Sequence, residues 1–244
     1  TQQDVEVVSD DGRFGAHRLH RAQLLELAFG LGARFVRERE LFDLFLQFGE
    51  FVAIAESTNL IGEIGEEVLR TALDDLTALR AAGQEVTMSV NVSPVQLRDD
   101  SLPDLVAHLL AERGLRGEDL ALEVTETALI DDMFTAKTIL DRLAAMNVLI
   151  VLDDFGVGYS SLSRLRELPI GLLKIDRSFV AEIGTSPTAD SLVTAIASMA
   201  RALPVSIVAE GVETEEQACA IETLRCRFAQ GYLYGKPAPL RHWL

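Results

Sequence analysis

The sequence predicts an α/β protein whose parallel sheet curls into a (β/α)8, TIM-barrel-like fold. Seven strand-like runs occur along the chain, amphipathic helical patterns lie between most of them, and 244 residues suit one large domain. Strands and helices that alternate at this interval form βα units, and a barrel accommodates seven such strands better than an open sheet does. Because a complete barrel of this type has eight strands, one strand is missing from the pattern.

Two regions are predicted along the chain: an N-terminal tail and linker helix over residues 1–40, and a barrel domain over residues 41–244. From His17 to Glu40, apolar residues recur at spacings of three and four, which indicates an amphipathic helix. The strand-like runs of the barrel domain are Leu41–Gln47, Val86–Val92, Leu120–Thr125, Val148–Leu152, Leu172–Ile175, Val205–Ala209 and Arg227–Tyr232. The helical patterns between them are Ile61–Ala82, Leu102–Arg113, Asp132–Met146, Thr188–Ala202 and Thr214–Leu224.

The chain is acidic, with 22 Lys and Arg against 38 Asp and Glu and a formal net charge of −16. Non-specific binding to DNA or RNA requires clustered Lys and Arg, so we exclude a nucleic-acid polymer as the partner. A small anionic substrate is compatible with this charge provided that a positive group meets it, and a divalent metal ion is the simplest such group.

The two cysteines, Cys219 and Cys226, provide neither a disulfide framework nor the paired spacing of a zinc site. They are typical of reduced thiols in a cytosolic protein. No run of residues approaches the ~18 apolar positions of a membrane span, and the N-terminus lacks the basic and apolar regions of a signal peptide. We therefore expect a cytoplasmic domain. Since the first residue is not Met, we expect it to come from a longer protein, which could carry a membrane tether.

Polar side chains lie at or just after the C-terminal ends of six consecutive predicted strands. In a barrel these ends meet at one rim, where active sites are built. The side chains are Asn91, Glu123, Glu126, Asp153, Asp154, Lys174, Glu210, Glu213 and Gln230. This oxygen-rich set without a histidine cluster favours a hard cation, Mg²⁺ or Mn²⁺, over zinc.

Each of these residues also has an ordinary structural explanation. A strand-end Asn is commonly a turn residue, Asp154 could cap a helix, and Lys174 could extend along the surface into solvent. The adjacent carboxylates of Asp153 and Asp154 are a stronger signal, because they repel each other and a metal ion most readily holds them together. Lys174 is alternatively a catalytic ammonium paired with Asp176 or a neighbouring carboxylate. The conjunction at one rim favours the functional interpretation.

Seven motifs resemble, in the same order, those of the EAL family, the bacterial cyclic di-GMP phosphodiesterase domain. The motifs are Phe51–Glu56, Val90–Ser93, Glu123–Glu126, Asp153–Leu162, Lys174–Asp176, Ala209–Thr214 and Gln230–Tyr232. The resemblance extends from about Phe48 to the C-terminus.

This resemblance implies a metal-dependent phosphodiesterase that hydrolyses cyclic di-GMP to linear pGpG at a two-metal site with Mg²⁺ or Mn²⁺. The metal ligands it implies are Asn91, Glu123, Asp153 and Asp154, with Asp153 as the bridge. Its implied catalytic residues are Lys174, Glu210 and Gln230. Glu126 would anchor the loop Phe155–Ser161, which couples the site to dimerisation in this family. A homodimer and an upstream GGDEF or sensor domain are further implications.

One departure from the family is serious, since the Glu-Ala-Leu sequence that supplies a further metal-binding glutamate is absent. Between Gln47 and Phe48 the chain lacks a loop, a strand and a second loop, about 30 residues or one supersecondary unit. Either the segment is present in the molecule but disordered, and so missing from these residues, or the gene lacks it and the barrel has lost a strand and a ligand. The first explanation is slightly favoured, because deleting a core strand exposes a long sheet edge.

Two other functions stay open from the sequence. A degenerate EAL domain could act as a cyclic di-GMP receptor or a protein-interaction module without turnover. A metal-dependent lyase or epimerase of the enolase type also combines a strand-end Lys with carboxylates that bind Mg²⁺, although the order of the motifs argues against it.

Overall fold

The computed structural model describes residues 5–6, 23–24, 52–58, 60–156, 165–224, 226 and 228–244. The predicted strand Leu41–Gln47 and most of the predicted linker lie outside these ranges. Val5–Glu6 (β1) pairs antiparallel with Gln23–Leu24 (β2), so the linker helix predicted across residues 23–24 is wrong there, because their backbone groups pair with another strand. The division of the chain at residue 40 stays a prediction.

Six parallel strands form one sheet, in which the order of the strands is their order along the chain. The strands are β3 (Met88–Asn91), β4 (Leu120–Thr125), β5 (Leu149–Phe155), β6 (Leu172–Ile175), β7 (Ser206–Ala209) and β8 (Phe228–Ala229). The sheet curls into an incomplete barrel, which confirms the predicted fold class. Parallel neighbours need a crossover between them, and four of the five crossovers contain a helix among the described residues.

The helices that follow residues 52–58 are α1 (Ile61–Ala81), α2 (Leu102–Glu112), α3 (Glu126–Asp131), α4 (Met133–Ala145), α5 (Arg177–Ala181), α6 (Pro187–Ala200) and α7 (Glu215–Thr223). The five predicted helices are confirmed to within two residues at each end. The short helices α3 and α5 were not predicted, because one or two turns show no periodicity. Among the described helices, none is both long and apolar enough to span a membrane.

Five of the described helices, α3 to α7, begin at a side chain that caps them. Thr214 and Gln217 form a reciprocal capping box at α7, and the Asp132 carboxylate accepts a hydrogen bond from the Thr135 N–H at α4. Each such contact satisfies a backbone N–H that has no partner within the helix. These polar residues therefore fix where α3 to α7 start, whereas α1 and α2 start without a side-chain cap.

The two faces of the sheet bury different side chains, since successive residues of a strand point to opposite faces. The outward face packs against the helices in the main core, with Leu122, Leu152 and Leu173 from three central strands. The inward face forms a separate apolar cluster of Ala121, Val151, Leu172 and Val208. The next inward position on each strand lies two residues later, nearer the C-terminal rim.

Candidate active site

A layer of polar side chains lies directly above the inward apolar cluster. This polar layer consists of Glu123, Asp153, Lys174 and Glu210, each two positions after a residue of that cluster. Because side chains alternate along a strand, the two sets lie on the same face of the sheet. The buried polar residues at this end of the sheet are Ser89, Glu123, Glu126, Asp153, Lys174, Glu210 and Gln230. Buried ionisable side chains are rare unless they are paired or functional.

Lys174 is the centre of this layer. It has no solvent exposure, and its Nζ lies 2.7 Å from Glu123 Oε2 and 2.5 Å from Glu210 Oε1. A third carboxylate oxygen, Asp153 Oδ1, lies 3.4 Å away. The structural explanation of Lys174 as a surface side chain is therefore wrong, because inward-facing carboxylates from β4, β5 and the end of β7 enclose the ammonium.

Asp176, the other partner considered for Lys174, lies at the start of α5. Its Oδ1 accepts a hydrogen bond from the Ser178 N–H at 2.9 Å and another from the Ser178 hydroxyl. Asp176 thus caps α5, and it stands beside Asp154, whose pKa it helps to raise.

The charge around Lys174 is unbalanced, with three carboxylates facing one ammonium. Burial raises the pKa of Glu210 to about 8, although Lys174 opposes this shift. Burial likewise raises the pKa of Asp153 to about 6. A site with this excess of buried carboxylates gains from added positive charge.

An irregularity in β5 brings two adjacent carboxylates to the same site. Leu152 pairs with Leu173 and Phe155 with Ile175, so β5 carries one extra residue over this interval. Asp154 has φ 54°, a left-handed conformation that a short polar side chain tolerates. Because such a bulge changes the direction of a side chain, Asp154 does not alternate away from Asp153. The sequence placed both residues after the strand, whereas the strand continues through Phe155.

Asp153, Asp154 and Glu210 form a group that could hold a metal ion. One carboxylate oxygen from each lies within 4.8 Å of the others. Burial raises the pKa of Asp154 too, and the neighbouring Asp176 carboxylate adds to the rise. Oxygen donors of this kind suit a hard divalent cation, so the residues present fit a metal.

The other two proposed ligands lie at the neighbouring strand ends. Asn91 and Glu123 are paired in register across β3 and β4, with Asn91 exposed and Glu123 buried. Glu123 joins the site through Lys174, as described above. Asn91 is the last residue of β3, which lies at one edge of the described sheet.

Gln230 lies just past β8, and its backbone N–H donates to the Ala209 carbonyl at 2.8 Å. The side chain is 2% exposed, and its Oε1 has no hydrogen-bond partner among the described residues. A buried carbonyl oxygen without a donor is costly, so this atom suits a hydrogen bond from a bound water or ligand.

Glu126 begins α3, where it is buried. Its Oε2 accepts a long hydrogen bond from the Gly156 N–H at 3.4 Å. Gly156 belongs to the predicted loop Phe155–Ser161, and the residues of that loop after Gly156 lie outside the described ranges. The contact is consistent with the anchoring role predicted for Glu126.

Sequence reasoning missed one residue of the site and included one that the structure does not bring to it. Ser89 is fully buried and donates a hydrogen bond to Glu123 Oε1 at 2.5 Å. Its signal was its place two residues before Asn91, which puts both on one face of β3. Glu213 is exposed, and its backbone N–H donates to Gln217 at the start of α7.

Comparisons with known proteins identify the family of this chain. The family model for the EAL domain matches residues 35–237. NbdA of Pseudomonas aeruginosa, named a cyclic di-GMP phosphodiesterase, is 41% identical over 191 residues, covering 78% of this chain and 24% of that protein. RocR of the same organism, also named a cyclic di-GMP phosphodiesterase, is 36% identical over 194 residues, covering 80% of this chain and 50% of that protein.

A third relative has a solved structure. MucR of Pseudomonas aeruginosa is named a bifunctional diguanylate cyclase and cyclic di-GMP phosphodiesterase; it is 41% identical over 197 residues, 80% of this chain and 29% of that protein. The structure of the PaMucR phosphodiesterase in complex with c-di-GMP superposes with a TM-score of 0.77 and 41% identity, covering 80% of each chain. This chain thus spans about a quarter to a half of the length of these curated relatives. With its family match, its strand order and its buried polar layer, the chain belongs to the EAL domain family.

Proposed function

We propose that this chain is a metal-dependent phosphodiesterase that hydrolyses cyclic di-GMP to linear pGpG. The observation that carries the proposal is the buried Lys174, whose Nζ contacts the carboxylates of Glu123 and Glu210 at 2.7 and 2.5 Å. An ammonium among carboxylates with no exposure to solvent is expensive to maintain for stability alone. The named activities of NbdA and RocR support the same reaction.

The metal site is proposed at the C-terminal ends of β3, β4 and β5. Asp153 and Asp154 would hold two cations, Mg²⁺ or Mn²⁺, with Asp153 shared between them, and Asn91 and Glu123 would complete the ligand set of one. The cations would offset the charge of the phosphodiester and lower the pKa of the attacking water. The excess of carboxylate over ammonium described above supports this assignment.

The proton work is assigned to groups of the chain itself. Glu210 suits a general base, because its Oε1 lies 2.5 Å from Lys174 Nζ and its carboxyl group lies beside those of Asp153 and Asp154, where a cation would favour the ionised form that accepts a proton. Lys174 Nζ donates hydrogen bonds, so it would hold the water between Glu210 and the substrate phosphorus. Gln230 Oε1, which has no donor among the described residues, would accept a hydrogen bond from the same water.

We propose that the position of the loop Phe155–Ser161 depends on the metal site, and that Glu126 links the two. The Gly156 N–H donates to Glu126 Oε2, and Gly156 follows directly after the bulged end of β5. A change in the position of Asp154 would therefore reach the loop within two residues. We therefore propose that the loop couples the site to the formation of a homodimer.

A cyclic di-GMP receptor without turnover is the second candidate function. The observation in its favour is the missing Glu-Ala-Leu segment between Gln47 and Phe48, which supplies a metal-binding glutamate in the family. Without that carboxylate, one cation would have fewer ligands, and nucleotide binding could persist while hydrolysis is lost.

The wider setting of the domain follows from its relatives. MucR carries a diguanylate cyclase activity beside its phosphodiesterase, so we propose that a GGDEF or sensor domain precedes this chain in the whole protein. Because cyclic di-GMP is an intracellular second messenger of bacteria, the proposed location is cytoplasmic.

The deciding experiment incubates the purified chain with cyclic di-GMP and Mn²⁺ and separates the products by chromatography. We expect pGpG from the wild-type chain, none from Glu210→Gln, and wild-type turnover from Glu213→Gln, a matched change at an exposed carboxylate three residues away. An intact mass measured first against the 26.7 kDa of this sequence establishes whether the Glu-Ala-Leu segment is present.

The other outcomes separate the two functions. Binding of cyclic di-GMP by calorimetry without any pGpG would overturn the hydrolase and support the receptor. Neither binding nor turnover would overturn both.

A further inference from the structure

We propose that Ser89 is a positioning residue for the metal ligand Glu123; this inference rests on the proposed metal site. The two carboxylate oxygens of Glu123 have different partners. Oε2 accepts a hydrogen bond from Lys174 Nζ at 2.7 Å, and Oε1 accepts one from Ser89 Oγ at 2.5 Å. All three side chains are buried.

The register of the sheet explains why a residue on β3 can reach Glu123. Ser89 pairs with Ala121 and Asn91 pairs with Glu123, so Ser89 lies one inward step below the rim. Ser89 and Glu123 are therefore diagonal neighbours on the same face of two adjacent parallel strands. Ser89 is thus at the level of the apolar inward cluster, which contains Ala121, and its hydroxyl reaches up to Glu123 in the polar layer.

The hydroxyl gives Glu123 one orientation. A carboxylate held only by Lys174 could rotate about its last side-chain bond and turn its plane away from the metal site. With Ser89 donating to Oε1, that rotation breaks two hydrogen bonds at once. Each oxygen still has a second lone pair for a cation, since a carboxylate offers about four acceptor positions.

Residues that hydrogen-bond to a metal ligand tune the affinity of the site as strongly as many ligands do. Removing such a partner typically weakens metal binding by about 10–100-fold. Ser89→Ala removes the hydroxyl with almost no change in volume, and so it tests this effect with little disturbance of packing.

The experiment measures the affinity for Mn²⁺ by calorimetry, without nucleotide, in the wild-type chain and four variants. Ser89→Ala is expected to weaken binding by about 10–100-fold, and Ser89→Cys, a weaker donor, by less. Ser89→Thr keeps the hydroxyl and is expected to restore wild-type affinity. Ser206→Ala, a matched change at the opposite end of β7, is expected to leave it unchanged.

Equal Mn²⁺ affinity in Ser89→Ala and the wild-type chain would overturn the inference, as would a wild-type chain that binds no Mn²⁺. If Ser89→Ala fails to fold, as judged by thermal unfolding, then Ser89→Cys decides between the same two results. A wild-type chain that binds Mn²⁺ but leaves cyclic di-GMP intact would contradict only the proposed hydrolase. The inference about Ser89 would still be tested, because the Mn²⁺ affinities of Ser89→Ala and the wild-type chain are compared without turnover.

Discussion

Two groups of ion pairs in this chain have similar distances and opposite surroundings. In the polar layer, Lys174 Nζ lies 2.5 Å from Glu210 and 2.7 Å from Glu123, and these side chains are 0–1% exposed. On the surface, Arg70 lies 2.7 Å from Glu66 within α1, with side chains 36% and 42% exposed. Arg113, just after α2, lies 2.7 Å from Asp74 in an intermediate setting, with side chains 13% and 65% exposed.

The difference is one of solvent, not of distance. Water screens the Glu66–Arg70 pair and solvates each partner when they separate, so this pair contributes little. The Lys174 side chain is not exposed to bulk solvent, and burial raises the pKa of Glu210 to about 8 despite the adjacent ammonium. Burying these charges lowers the stability of the folded chain, and a bound cation would offset part of that loss. The buried group is therefore better explained by catalysis than by stability.

The largest change in the free energy of unfolding is expected from Lys174→Met. It is measured by urea unfolding of the metal-free chain at about pH 8. Removing the ammonium leaves buried carboxylates without a partner, and we expect the free energy of unfolding to fall by about 3–5 kcal/mol. Added Mn²⁺ is expected to recover part of this loss, because it supplies positive charge to the same carboxylates.

The matched control for that variant is Lys137→Met on α4. Lys137 pairs with Asp141 at 2.6 Å, with side chains 39% and 50% exposed, so the same substitution removes an equally short ion pair in solvent. We expect a loss of about 0.3–0.5 kcal/mol. Equal losses in the two variants would contradict the distinction between buried and exposed pairs.

A smaller effect is expected in the dependence of metal binding on pH. Glu210 keeps its proton up to a pKa of about 8 in the folded chain, against an ordinary value of 4.5. A cation must displace that proton, so the affinity for Mn²⁺ measured by calorimetry should rise by up to about tenfold per pH unit and level off above about pH 8. Across the same range the stability of the metal-free chain should fall with rising pH, because the folded state binds the extra proton and the unfolded state does not.

The control for this titration is Glu210→Gln, which cannot bind or release the proton. The variant is expected to bind Mn²⁺ more weakly and to lose most of the pH dependence between about pH 7 and 8. Below that range a dependence should persist, since burial also raises the pKa of Asp153 to about 6. A wild-type affinity that does not change between pH 6 and 8 would show that Glu210 is already ionised in the metal-free chain.

Much of this arrangement could be predicted from the order of residues alone. The alternation of apolar runs predicted the five longer helices and six parallel strands, and the rule that barrel sites lie at the C-terminal ends of strands selected Glu123, Asp153, Lys174, Glu210 and Gln230. These predictions succeeded because they depend on local periodicity and on one property of the whole fold.

The rest depends on contacts that local periodicity does not encode. The bulge in β5 arises from its pairing with β6, so Asp153 and Asp154 were placed beyond the strand instead of within it. Ser89 and Glu123 are 34 residues apart, and only the register of β3 against β4 reveals their hydrogen bond. In the same way, nothing in the run around Lys174 distinguishes an enclosed ammonium from one that extends to solvent.

The smallest effect is expected at the surface pair Glu66–Arg70, tested with Glu66→Gln, Arg70→Gln and the double variant. The residues are one turn apart on α1 with the acid nearer the N-terminus, which is the favourable order for an exposed helical pair. A double-mutant cycle by urea unfolding should give a coupling of about 0.3–0.5 kcal/mol, and less in about 1 M salt, where the screening length is about 3 Å. A coupling above about 1.5 kcal/mol that resists salt would mean that a short distance is enough to make an ion pair strong, and the special character assigned to Lys174 would then need another cause.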